Sequence, residues 1–328
     1  MPESVTAIER AFAGSTLPGT ILGFTEWARV AAALAQWCES ELGCSLESVF
    51  RCEVSVGVVF GVKLADGRRA AVKAHPPAVP EAELEHVQAA QRSLTATAFP
   101  CPTPLAAPAP FCRTLATVDA WLDGPPGDFD RPEAVSASAA ALAEHVRLLR
   151  PLELVLPPAI AGRPWPPTPH NALFDFTRDE DGAAWIDAIA LRARPLLDAG
   201  EPVVGHSDWS AKHVRVDGDR VVATYDWDSL RREREPVLVG FAAASHHVHL
   251  DPERPWRAEP DRVRRFVDAY REQRELTPAE TAAALAAAVY LFAYTARCEH
   301  GYLGPPGAPT TRMRETLAGA ADDLLGRA

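Results

Sequence analysis

The stretch Gly205–Leu230, "GHSDWSAKHVRVDGDRVVATYDWDSL", decides how the chain is read. Two β-prone runs, "HVRV" and "RVVATYD", flank Asp217-Gly218-Asp219, and an Asp-Gly pair between alternating apolar residues is a strong hairpin signal. Asp208 precedes the first run; Asp226 ends the second, with Asp228 two residues on. A hairpin returns the chain to its starting point, so Asp208 and Asp226 should meet in space. Two carboxylates brought together repel unless a cation joins them or one is protonated. A divalent metal carrying a phosphate ligand is a natural resolution.

Upstream, residues 48–77 are valine-rich and broken by Asp66-Gly67, which predicts two or three antiparallel strands ending at "AAVKA" (70–74). Before them, residues 25–43 place Trp27, Val30, Leu34 and Trp37 at helical spacing, with Thr25 as N-cap and Gly43 as stop. After them, residues 80–96 predict a helix with Pro80 in its first turn and Leu84, Val87 and Leu94 on one face. The proline-rich stretches 99–111 and 157–170 are extended connectors, since proline is excluded from helix interiors and central strands. Residues 113–122 read as a strand. The turn-rich "DGPPGDFDRP" (123–132) then breaks the chain. Beyond it, amphipathic helices are predicted over 132–152, 183–200, 261–274, 278–300 and 312–326, with the opening hairpin as the exception. The expected fold class is α+β: a β-rich N-terminal lobe, 1–122, with a leading helix, an antiparallel sheet and one further helix, and a mainly helical C-terminal lobe, 123–328.

Bulk composition is consistent with this. The chain has 328 residues, long for one core, with 47% hydrophobic and 23% charged residues. A net charge of −11 argues against nucleic acid as a partner, because phosphate backbones attract basic surfaces. Six cysteines without CxxC or zinc-like spacing read as reduced thiols of a cytoplasmic protein. The N-terminus lacks a basic start followed by an apolar run, so no signal peptide is expected. The uncharged run Thr281–Ala296 is shorter than the ~18 residues of a membrane span, so a buried helix rather than a membrane partner is expected.

"HSDWSAKH" followed by "YDWD" resembles the catalytic segment of aminoglycoside phosphotransferases and related kinase-like small-molecule phosphotransferases, and the wider pattern is similar to an actinobacterial branch of that superfamily. The likeness is strong over 203–230, moderate over 113–124 and 66–74, and weak elsewhere. It implies a protein-kinase-like two-lobed fold, ATP and Mg2+ as cofactors, and a small-molecule hydroxyl acceptor. Asp208 would be the catalytic aspartate facing that hydroxyl, and His206 the motif histidine, more a brace than a reactant. Asp226 would hold Mg2+, with Asp228 and His213 as further candidate ligands. Lys73 in "AAVKA" matches the strand lysine that pairs with the α- and β-phosphates. Glu85 on the next helix is its candidate partner, with Glu81 and Glu83 as alternatives. Gly57 and Gly61 would form the turn over the phosphates, and Trp121 and Leu122 lie in the segment "AWLDG" matching the adenine hinge. Two departures stand out. Ser207 replaces the motif glycine, and His213 stands where the family has a metal-binding asparagine, whose amide oxygen suits Mg2+ better than imidazole nitrogen does.

Other readings compete. On the same fold the chain could be a non-catalytic nucleotide or small-molecule binding module, motivated by His213 and the thin glycine loop. "VVATYDWDSL" also resembles the Asp-x-Asp strand of aspartyl-nucleophile phosphatases, but that strand normally opens its fold and here some 225 residues precede it. His170, Asn171 and Asp175 are candidates for an acceptor pocket or for a polar loop held by Phe174 and Phe176. His246, His247 and His249 read as helix-end or surface residues, and Arg297, Glu299 and His300 as a helix end.

Overall fold

The structure is a computed structural model and describes residues 2–160, 164–165, 173–249, 251–303 and 311–326. The chain divides into two compact units, Met1–Asp123 and Gly124–Ala328. The α+β class holds, with the larger sheet in the first unit and helices dominating the second.

The first unit runs α1 (Pro2–Phe12), α2 (Leu17–Leu22), α3 (Trp27–Leu42), β1 (Leu46–Val54), β2 (Val58–Leu64), β3 (Arg69–Ala74), α4 (Glu81–Ala96), β4 (Ala109–Phe111) and β5 (Thr114–Ala120). The strands form one antiparallel sheet in the order β1-β2-β3-β5-β4. The leading segment holds three helices rather than one. Ile8, Phe12, Val30 and Leu34 from these helices join Phe60, Val62, Val72 and Val118 from the sheet in one buried core. Glu26, one residue past the expected Thr25, occupies the N-cap position of α3, and Pro80 occupies that of α4, just outside its first turn; neither side chain makes a capping hydrogen bond. β4 lies inside the proline-rich connector, and the sheet tolerates Pro110 there because β4 is an edge strand. On β3 the buried residues are Ala70, Val72 and Ala74, so Lys73 projects from the opposite face, between its register partners Val59 and Thr117. α4 is tied to the connector by side-chain amides: Gln88 donates to Ala106 O and Gln91 to Pro102 O.

The second unit comprises α5 (Pro132–Leu149), α6 (Glu180–Ala193), β6 (Pro202–His206), β7 (Val214–Asp217), β8 (Arg220–Thr224), β9 (Leu230–Arg234), α7 (Glu235–Ser245), α8 (Pro260–Arg271), α9 (Pro278–His300) and α10 (Met313–Leu325). β7 and β8 are the expected hairpin. A second antiparallel pair, β6 with β9, brackets it and aligns His206 with Leu230. Sequence patterning did not reveal β6, β9 or α7. Every residue of α7 is buried, so it carries no polar face to mark a helical period. α7 packs on α9 closely enough that a Cβ at Gly240 would lie 2.1 Å from Ala284 O.

The uncharged run belongs to a 23-residue helix, α9, longer than the run itself. α9 is long and apolar enough to cross a membrane, but 67% of its apolar window is buried within the protein. Its start is a reciprocal cap: Thr277 Oγ1 accepts from Glu280 N, and Glu280 accepts from Thr277 N.

Candidate active site

The loop after β6 is held from inside by two imidazoles. His206 N donates to His145 Nε2 of α5 across 3.1 Å, and His145 Nδ1 donates to Ala141 O. His206 Nδ1 in turn accepts from Asp208 N at 3.2 Å, while its Nε2 donates to Tyr225 O at 3.0 Å. Each ring therefore uses one nitrogen as donor and one as acceptor, which only the neutral form allows. Burial agrees: it pushes His145 down to about 3, and burial with His213 nearby also lowers His206. Both nitrogens of His206 are thus engaged, one by the loop at Asp208 N and the other by the end of the hairpin at Tyr225 O. Trp209, fully buried, stacks on His145 and donates to Ser138 Oγ of α5. Ser207 donates through both N and Oγ to Ser229 O, so the residue replacing the motif glycine ties the loop to the segment after β8.

These constraints deliver the side chains that remain. Asp208 Oδ2 lies 3.2 Å from both Lys212 Nζ and His213 Nε2. His213 Nε2 lies 3.7 Å from Asp226 Oδ2. Ligand-capable atoms of Asp208, His213 and Asp226 all fall within 4.8 Å of one another. Burial pushes the Asp208 carboxyl up, but Lys212 and His213 outweigh it and hold the group well below the usual carboxylate range. Asp226 is in the left-handed region, φ 62° and ψ 44°, where the chain turns from β8 into a short 3-10 segment, Trp227–Ser229. Its carboxylate accepts from Ser229 Oγ at 3.1 Å. Aspartate is among the non-glycine residues that enter this region most readily. Asp228 lies in the 3-10 segment and is not in the ligand-capable cluster among the described residues.

In the first unit, Gly57 does lie in the β1–β2 turn. A Cβ there would come within 2.8 Å of Ala74 O and 3.2 Å of Lys73 Cε, so glycine lets the turn approach the lysine stem. Gly61 lies elsewhere: it sits mid-β2, opposite Arg51 and Ala71, where a Cβ would strike the Phe50 ring. The expectation that both glycines share the turn is therefore corrected for Gly61, which accommodates a neighbouring aromatic ring. On α4, Glu85 and Glu81 are exposed, whereas Glu83 is half-buried. Trp121 packs edge-on against Phe50, lies beside Arg69 and donates to Asp123, so its ring belongs to a cluster on β1 and β3; Leu122 follows it half-buried.

A family model described as the phosphotransferase enzyme family matches residues 58–232, more than half of the chain. The chain belongs to that family. No curated protein matches it. Among solved structures, an amicoumacin kinase in complex with AMP-PNP, Ca2+ and Ami has a TM-score of 0.63 at 11% identity, covering 91% of this chain and 95% of that one. A microcompartment-associated aminopropanol kinase has a TM-score of 0.60 at 15% identity, covering 90% and 99%. An aminoglycoside phosphotransferase from Alicyclobacillus acidocaldarius has a TM-score of 0.52 at 10% identity, covering 88% and 93%. At such identities the likeness is one of fold.

Not every residue singled out in this phosphotransferase-family chain joins the site. His170 and Asn171 lie outside the described residues. Asp175 builds a turn, accepting from Thr177 N and Oγ1. His246 follows the end of α7 but is buried against Phe129 and Phe266, so it is no surface residue; His247 pairs with Glu259. Arg297 is buried in α9 beside Asp187 and over the Phe176 ring. Sequence reasoning passed over Lys212, His145 and Trp209. Lys212 had a signal, since it follows Asp208 by four residues. His145 sat in an unremarkable amphipathic helix and had none.

Proposed function

We propose that the chain transfers the γ-phosphoryl group of ATP to a hydroxyl of a small molecule. The observation that carries this reading is the convergence of Asp208 and Asp226 on one imidazole nitrogen at the open end of the β7–β8 hairpin. Family membership supports it, as does a kinase of the same fold bound to AMP-PNP and Ca2+.

Asp208 accepts the hydrogen bond of the acceptor hydroxyl and aims its oxygen at the γ-phosphorus. The new P–O bond forms as the bond to the β–γ bridging oxygen breaks, ADP leaves, and the hydroxyl proton passes to Asp208 and then to solvent. Lys212 and His213 make Asp208 a weak base. Its contribution is therefore orientation, and late proton acceptance, in a transition state that is already loose. Lys73 is proposed to pair with the α- and β-phosphates. Glu83 replaces Glu85 as its proposed companion, because Glu85 faces solvent. Asp226 offers the hard oxygen that suits a divalent cation shared with the phosphates, and His213 does not fit Mg2+. When bound, the cation supplies charge neutralisation on the transferring group.

A second reading, a non-catalytic binding module, is favoured by one observation: the imidazole of His213 lies against both Asp208 and Asp226, where the resemblance implies an amide oxygen. A screen of hydroxyl compounds for acceptor-dependent ATP consumption separates the two. With an acceptor in hand, Asp208→Asn should lower kcat by at least ~10²-fold. Wild-type turnover by that variant rejects the role given to Asp208.

A further inference from the structure

We infer that this site selects a first-row transition cation, of the Mn2+ or Co2+ type, over Mg2+, and that His213 Nε2 is a direct ligand beside Asp226 and Asp208. The inference rests on the phosphotransfer reading only for the purpose the cation serves; the donor set stands by itself. Two carboxylate oxygens and one imidazole nitrogen lie within 4.8 Å of one another. Bonds of ~2.1 Å at right angles place neighbouring ligand atoms ~3.0 Å apart. The Asp208–His213 separation of 3.2 Å is close to that, and the His213–Asp226 separation of 3.7 Å closes with a side-chain shift of about 0.7 Å.

Spacing alone suits Mg2+ equally well, so the nitrogen decides. Mg2+ keeps its waters and takes oxygen donors, whereas affinity for imidazole rises along the first transition row. The ring is also pre-aimed. His213 N donates to Ser210 O and its carbonyl accepts from Tyr225 N, so backbone bonds on both sides fix the residue that carries it. The side chain is 19% exposed, and the Asp208 and Asp226 side chains are 38% and 27% exposed, so an ion can reach all three. Coordination through Nε2 requires the proton on Nδ1, and the hydrogen bond to Asp208 is then exchanged for a shared ion.

The test uses the full chain without nucleotide. Mn2+ binding is followed by loss of the free-ion electron paramagnetic resonance signal, with Mg2+ as competitor. Spin-echo modulation of the bound Mn2+ then reports any directly coordinated 14N. Wild-type protein should show imidazole nitrogen coupling and bind Mn2+ at least ~10-fold more tightly than Mg2+. His213→Asn should abolish the coupling and narrow that preference, with circular dichroism melting used to show that the variant folds. Bound Mn2+ without nitrogen coupling in the wild-type protein, or equal competition by Mg2+, overturns the inference; His213 then serves only as a hydrogen-bond donor between the carboxylates. Mg2+-supported phosphotransfer without nitrogen coupling overturns it while leaving the phosphotransfer reading standing. Nitrogen coupling without acceptor-dependent ATP consumption supports it and removes that reading instead.

Discussion

The backbone N–H of His206 donates to the Nε2 of His145 across 3.1 Å, so a neutral histidine in helix α5 holds the start of the loop that carries Asp208. His145→Phe keeps most of the packing against Trp209 and removes the acceptor. A buried N–H left unpaired should cost about 1–3 kcal/mol, measured by urea unfolding at pH 7.5. Unchanged stability in that variant means that the contact with His206 contributes nothing.

The same pair predicts acid sensitivity. Burial lowers His145 to about 3 from an unfolded value near 6.5, and His206 shifts in the same direction. The unfolded chain therefore binds protons that the folded chain refuses. The contribution of His145 is complete well above pH 6.5 and declines as pH falls toward 3, by about 1.4 kcal/mol per unit while the folded form stays unprotonated, and His206 adds to it in the same direction. Unfolding free energies between pH 7.5 and 5 should fall on acidification, with a shallower slope in His145→Phe. A flat wild-type profile contradicts this account.

Glu235, 1% exposed, accepts from Tyr270 OH at 2.6 Å and pairs with both Arg150 and Arg274. It joins α5, α7 and α8 through one carboxylate. Removing one partner of a fully buried pair costs about 3–5 kcal/mol. Arg150 and Arg274 are 42% and 30% exposed and can turn toward water, so Glu235→Ala should cost less, about 2–3 kcal/mol. Denaturant midpoints with an unchanged m-value would establish this; a loss under ~0.5 kcal/mol would show that the network is dispensable.

Asp226 should link the cation to the nucleotide. ATP with a divalent cation at 100 times its dissociation constant should stabilise the wild-type protein by about 2.7 kcal/mol in thermal shift. Asp226→Asn should lose the cation-dependent part of that gain. Equal cation-dependent stabilisation of the variant and the wild type removes Asp226 from the proposed cation site.

Local chemistry by itself determined the hairpin and the meeting of its two aspartates. Asp217-Gly218 leaves few other ways to turn two valine-rich runs, and an antiparallel return brings the residues at its open end together. The strand carrying Lys73 was legible for the same reason, since period-2 alternation sets the face of every side chain. Only the tertiary structure decided which groups stand around the aspartates. His145 reaches the loop from a helix 61 positions upstream, and β6 finds β9 across the hairpin. α7 has no polar face to betray its period, and Glu83 was separable from Glu85 only by burial. Such contacts join residues far apart in the chain, and spacing along a sequence carries no information about them until packing has chosen the neighbours.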